Sequence, residues 1–218
     1  VSKFTGRVCG IYGGIVLIIL LFHNSFGQTQ NKDILDRKID LDIKGNLFQL
    51  CVVLASLKEI PVGLEGAADF SSGEDKSIQI QPGTLREILD SIVKQEPKYV
   101  WELRDGVINF YPASSRDAIL KALLETKIKS FSSKKDAGRV GIRDNILRLE
   151  PVKALLTSKQ IRLGFFTSAR LDVKDETADI NISNTDLKGL LNKVVYDSGD
   201  SKLWTIQRVP DGNILLTF

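Results

Sequence analysis

The stretch IQIQPGTLREILDSIVKQEPKYVWELRDGVINFY, residues 78–111, decides the fold. Ile78 and Ile80 alternate with polar neighbours, the period-two pattern of a half-buried strand. Thr84-Leu85-Arg86-Glu87 then fits a capping box, in which a Thr hydroxyl and a Glu carboxylate satisfy free amides at a helix start. Leu85, Ile88, Leu89, Ile92 and Val93 follow at i, i+3, i+4, i+7 and i+8, an apolar stripe along one helix face. Pro97 ends the helix. Residues 100–103 and 107–111, joined by Asp105-Gly106, read as a hairpin.

Upstream, Ile39, Leu41 and Ile43 alternate with polar residues and predict another strand, after which Gly45-Asn46 turns the chain. Leu47, Leu50, Cys51, Leu54 and Leu57 take helical spacing, Pro61 stops the helix, and residues 62–64 are short and extended. A loop rich in Gly, Ser and acid then leads back to Ile78. The order is strand, helix, strand, strand, helix, strand, strand.

Downstream, the same order returns. Leu187, Leu190, Leu191, Val194 and Val195 repeat the second helix at an offset of 102, and Ile180 and Ile182 answer Ile78 and Ile80. Ile161 and Gly164 answer Ile60 and Gly63, Trp204 answers Trp101, and Asp211-Gly212 with Ile214 and Leu216 answers the hairpin. Leu147 and Leu149 stand for Leu41 and Ile43, and Val152, Leu155 and Leu156 for the first helix, with Pro151 at its first position. The expected fold class is α+β: two tandem βαββαββ units, each a small sheet packed with two helices, over residues 38–112 and 141–218. Residues 28–37 read as a flexible approach, and 113–140 as a linker with a short helix over 116–124. Within it, KIKSFSSKKDAGR (127–139) is either linker or an extra edge strand using Ile128 and Phe131, and linker is the favoured reading.

Residues 1–27 differ from the rest of the chain. Lys3 and Arg7 precede an uncharged apolar run over 8–22, and small residues Ser25 and Gly27 flank a cut before Gln28, the three parts of a signal peptide. The rival is an uncleaved anchor in the inner membrane, although a span needs about 20 apolar residues. A cleaved chain is expected in the periplasm. The leader holds two cations and no acid, so cleavage takes the formal net charge from +3 to +1. A nearly neutral chain lacks the clustered cations that nucleic acid demands. Contact with membrane is expected only through an uncleaved leader.

Chemistry is sparse. The one histidine, His23, leaves with the leader, which excludes Ser-His and Cys-His nucleophilic pairs and histidine metal sites from the mature chain. Cys51, on an apolar stripe, is expected to be a buried structural thiol rather than a reactive one. Asp172, Asp175, Glu176 and Asp179 could offer carboxylates to calcium but lack EF-hand spacing, and read, like Glu74 and Asp75, as a solvated loop. No catalytic residue, metal ligand or cofactor is expected. Trp101 and Trp204 are expected to pack.

The pattern Ile-x-Ile-x-x-Gly-Thr-Leu-x-Glu-Ile-Leu-Asp of residues 78–90, with its closing aromatic hairpin, resembles the short N-terminal domain of secretins and TonB-dependent receptors. The resemblance covers most of the first unit and the second half of the second. It implies a periplasmic domain that docks onto envelope proteins: a secretin, a pilus component, a TonB-dependent receptor or an anti-sigma regulator. No barrel follows residue 218 here, so the expectation is an accessory, non-catalytic binding module. The alternative is a ligand-binding protein or a carboxylate hydrolase with its site between the units. If the partner adds a strand, the interacting residues are sought on the final hairpins, at Val107, Asn109, Tyr111, Ile214 and Leu216.

Overall fold

A computed structural model of the chain describes residues 34–66, 77–114, 116–166, 178–199 and 202–218. The leader, the cut between Gly27 and Gln28, and the acids Glu74, Asp75, Asp172, Asp175 and Glu176 lie outside the described residues. The fold is α+β. The N-terminal half runs β1 (Lys38–Ile39), β2 (Ile43–Gly45), α1 (Leu47–Lys58), β3 (Val62–Glu65), β4 (Ile78–Ile80), β5 (Gly83–Thr84), α2 (Leu85–Gln95), β6 (Tyr99–Arg104) and β7 (Val107–Pro112). The C-terminal half runs α3 (Ala118–Leu124), β8 (Lys127–Ser133), a 3-10 turn (Lys135–Ala137), α4 (Gly138–Arg148) and α5 (Glu150–Ser158). It continues with β9 (Leu163–Phe166), β10 (Ile180–Asp186), α6 (Leu187–Asp197), β11 (Leu203–Arg208) and β12 (Ile214–Thr217).

Local chemistry accounts for the elements. The Thr84 amide donates to Glu87 Oε2 at 2.7 Å, and the Glu87 amide to Thr84 Oγ1 at 3.3 Å, so the expected capping box starts α2. Its stripe of Leu85, Ile88, Leu89 and Ile92 is buried, each such side chain contributing about 1.5–3 kcal/mol on leaving water. A second box, Asn46 with Gln49, starts α1. The β6–β7 hairpin closes at Arg104 and Val107 around Asp105 (φ 55°) and Gly106 (φ 75°), the two positive angles a type I′ turn requires.

One six-stranded sheet joins the halves, in the order β6-β7-β3-β11-β12-β9. Each half contributes a hairpin and a third strand parallel to the hairpin's second strand: β3 beside β7, and β9 beside β12. The halves meet where β3 lies parallel to β11, with Val62, Gly63, Leu64 and Glu65 opposite Leu203, Trp204, Thr205 and Ile206. Left-to-right order is therefore the same in both halves while strand directions are reversed. The faces are exchanged as well. Val62, Leu64, Ile108 and Phe110 point into the N-terminal core under α1 and α2, whereas Trp204, Ile206, Ile214 and Leu216 point into the C-terminal core with α3–α6. A half-turn about an axis lying in the sheet across the strands, with a shift along it, carries one trio onto the other.

Several expectations need correcting. Residues 127–133 are not linker: β8 pairs antiparallel with β10, Phe131 opposite Ile182 and Ser133 opposite Ile180, with Ile128 and Phe131 buried. This matches β2 with β4, where Ile43 faces Ile80 and Gly45 faces Ile78, so the C-terminal half takes its first strand from before residue 141. Leu147 and Leu149 are not a strand: Leu147 is in α4 and Leu149 is the N-cap of α5. The buried Ile142 and Ile146 sit four apart, and that helical spacing prevails over the two-residue alternation. Pro151 lies in the first turn of α5. Nor are the two tryptophans equivalent. Trp101 faces Phe110 and Ile206 faces Leu216, so Trp101 answers Ile206, and Trp204 answers Tyr99. The approach is also partly anchored, since Leu35 is buried and the Arg37 carbonyl accepts the Leu85 amide at 2.9 Å.

Candidate functional site

Two features of the sheet could serve a partner: its outer edges and the polar face where the halves interlock. At the junction, Gly63 makes room for the Trp204 indole. A Cβ on Gly63 would stand 2.4 Å from Cε2 and Cζ2 of that ring, so the close approach of the two strands depends on glycine. The indole Nε1–H donates to Asn192 Oδ1 at 2.9 Å, and Asn192 Nδ2 donates to the Arg104 carbonyl at 3.2 Å. Arg104 Nη2 reaches both oxygens of Asp186, at 2.9 and 3.0 Å. Asp186 also caps α6, accepting the Gly189 amide at 2.8 Å. The chain Trp204–Asn192–Arg104–Asp186 thus crosses between the halves twice. Burial alone would raise the Asp186 carboxyl, but the Gly189 amide and the Arg104 guanidinium outweigh it and hold the group below the ordinary range.

Two further ion pairs line the same face. Glu65, 1% exposed, is held by the fork of Arg116 through both oxygens, the bidentate geometry that suits guanidinium to carboxylate. Lys188, 6% exposed, donates to Glu102. Tyr111 stands by both cations, with Arg116 Cζ 5.3 Å and Lys188 Nζ 4.9 Å from its ring centroid, within cation–π range. Each carboxylate here is occupied by a cation. No group of three His, Cys, Asp or Glu able to hold a metal occurs among the described residues. Asp179 accepts the Lys135 amide at 2.8 Å.

The edges are β6 and β9, since among the described residues neither has a strand on its outer side. The Ala113 amide donates to the Lys98 carbonyl. With the β6–β7 register, that directs the main chain of residues 98, 100, 102 and 104 towards β7 and that of 101 and 103 outward, while the Tyr99 amide donates to the Glu96 carbonyl at 3.1 Å. Such a row of outward groups is a template for another strand. The expected residues fall elsewhere. Val107, Asn109, Ile214 and Leu216 are buried on β7 and β12, each flanked on both sides, and only Tyr111 is partly exposed. They sit one strand in from the sheet edges, because each half's third strand, β3 or β9, covers the hairpin's second strand.

Trp204 is buried, while Trp101 is half-buried and donates to Asp90 Oδ1 at 3.0 Å. Cys51 is fully buried, which pushes its thiol far up. Sequence reasoning missed the junction residues Glu65, Arg104, Arg116, Lys188 and Asn192. Their partners lie 51–88 residues apart, so no local spacing announces them. The one available signal was the glycine repeated at 63 and 164.

Set against protein-family models, curated proteins and solved structures, the chain matches none. Among the described residues no helix is long and apolar enough to cross a membrane.

Proposed function

We propose that the chain is a non-catalytic binding module of the bacterial envelope, built of two tandem units like the short N-terminal domain of secretins and TonB-dependent receptors. Residues 1–27 export it, and in the periplasm it docks onto a secretion, pilus or TonB-type receptor or signalling component by accepting a strand. The observation that carries this reading is a continuous sheet with two outer edges unpaired among the described residues, β6 and β9. Main-chain hydrogen bonds along such an edge supply affinity, and alternate side chains supply selectivity.

The carboxylates between the halves argue for architecture rather than hydrolysis. Glu65, Glu102 and Asp186 each hold a cation, whereas a glycosidase acid must keep its proton. Asp186 is pushed in the opposite direction. The test is affinity capture: the folded chain is immobilised, exposed to detergent-solubilised envelope of its source, and the retained proteins identified by mass spectrometry. Retention of a secretin, pilus component, TonB-dependent receptor or anti-sigma regulator is expected. Retention of nothing at low and moderate salt would overturn the reading.

A further inference from the structure

The two outer edges, which carry no further strand among the described residues, are the counterparts of the two edges that pair inside the chain. β3 and β11 join the halves, β9 occupies the place of β3 in its trio, and β6 occupies the place of β11. The relation between the halves keeps left-to-right order, so applying it again leads onward to another copy rather than back to the first. We propose that copies of this chain join head to tail, β9 of one pairing in parallel with β6 of the next and Tyr99 lying over Gly164. The inference rests on the reading of these edges as binding edges, and it names their occupant as a second copy of this chain.

The internal junction supplies the template. Gly63 accommodates the Trp204 indole, and its counterpart Gly164 occupies the same position on β9. Gly164 is exposed, and among the described residues a Cβ there would meet nothing closer than 3.6 Å. Among the described residues, the space an aromatic ring fills over Gly63 is therefore left open over Gly164. The strand register makes Tyr99 the counterpart of Trp204, so the next copy presents an aromatic side chain at the matching place. The faces agree as well. Gly63 is turned away from its own half's helices and covered by the other half, and Gly164 is likewise turned away from α3–α6.

A second correspondence is independent of the first. Within the chain, Lys188 on α6 reaches across to Glu102 on β6. The counterpart of Lys188 on α2 is Arg86, which is exposed, and that of Glu102 on β11 is Gln207, whose Oε1 is buried without a hydrogen-bond partner. In the head-to-tail arrangement the guanidinium of one copy approaches the amide of the other. Such an interface is heterologous: it closes into a ring where the rotation per copy allows and otherwise extends as a filament.

The test is sedimentation velocity of the full chain from micromolar to near-millimolar concentration, beside Gly164→Val. Valine suits a strand, φ at 164 is not positive, and no described residue crowds the site, so far-UV circular dichroism should be unchanged. The wild type should assemble in steps of one chain mass. G164V should weaken association about tenfold or more, a loss of about 1.4 kcal/mol. A wild type that stays monomeric throughout, or a G164V variant that assembles equally well, would overturn the proposal. Association driven by residues 1–27 alone would give the second result. A monomeric chain that still captures an envelope protein would refute self-assembly and leave the binding reading standing, whereas a monomer that captures nothing would remove both.

Discussion

Replacing Gly63 with alanine adds one methyl group at the most crowded point of the junction. That methyl would lie 2.4 Å from two carbons of the Trp204 ring and 2.7 Å from its Nε1. The backbone cannot yield, because Val62 and Leu64 on either side are paired with both β7 and β11. The indole must move instead, and moving it breaks its bond to Asn192 inside a core where it is fully buried. Overpacking of this kind costs about 1–3 kcal/mol, and leaving a buried N–H unpaired costs about 1–3 kcal/mol more. Reduced unfolded-chain freedom returns about 0.4–1 kcal/mol. The net expected loss is about 3 kcal/mol, with a Tm lower by roughly 6–12 °C for a chain of this size. Urea unfolding of dilute protein, followed by Trp fluorescence and circular dichroism, measures it. The control is Gly164→Ala, which should stay within about 0.5 kcal/mol of wild type because no described atom lies closer than 3.6 Å. Equal stabilities for G63A and wild type would refute the strand-on-indole account of the junction.

Arg116→Ala leaves Glu65 buried without its cation. It should destabilise by about 3 kcal/mol, read as a lower urea midpoint, and Glu65→Gln in the same background should recover part of that loss. Asp186 and Asp117 are both held below the ordinary carboxyl range in the folded chain: burial alone would raise each, but amide hydrogen bonds with Arg104 or Arg208 outweigh it. Their contribution is therefore complete above the unfolded value of about 3.9 and is lost as pH falls through the lower folded values. The urea midpoint should be steady from neutral pH down to mildly acidic conditions and drop below about pH 4, with a shallower acid drop in Asp186→Asn. Burial pushes the Cys51 thiol up, so peptide mapping after iodoacetamide should find Cys51 unmodified in native protein and alkylated in urea.

How much of this was legible depended on the range of the interaction. The α2 capping box and stripe, the Asp105-Gly106 hairpin and the burial of Cys51 all rest on residues within one or two turns of each other, and the sequence reading placed them correctly. The first box, Asn46 with Gln49, is equally local, but Gly45-Asn46 alone reads as a turn. For β8 the sequence favours linker over edge strand because its Ser and Lys residues, four of five exposed, resemble a linker. Only its pairing with β10, some 50 residues on, separates Ile128 and Phe131 from chance apolar residues. Matching Trp101 to Trp204 followed residue type, whereas the register follows the turn. The second hairpin has a longer loop, closed by the Val209 amide on the Asn213 carbonyl and by the Gly212 amide on the Val209 carbonyl. The interaction residues were sought on the last strand of each half, because sequence order says nothing about which strand ends at a sheet edge. That edge was decided by the joining of the halves through β3 and β11, a contact made across about 140 residues of chain and invisible to any local period.

The most direct measurement is amide hydrogen exchange across the six-stranded sheet, on the free chain and on the chain with its captured partner or its own assembling copies. Protection should be gained at the outward amides of Trp101 and Leu103 on β6 and along β9. Amides of β7 and β12, already paired on both sides, should change little. Unchanged exchange at both edges in a demonstrated complex, or protection confined to helix surfaces, would contradict strand addition as the way this protein binds.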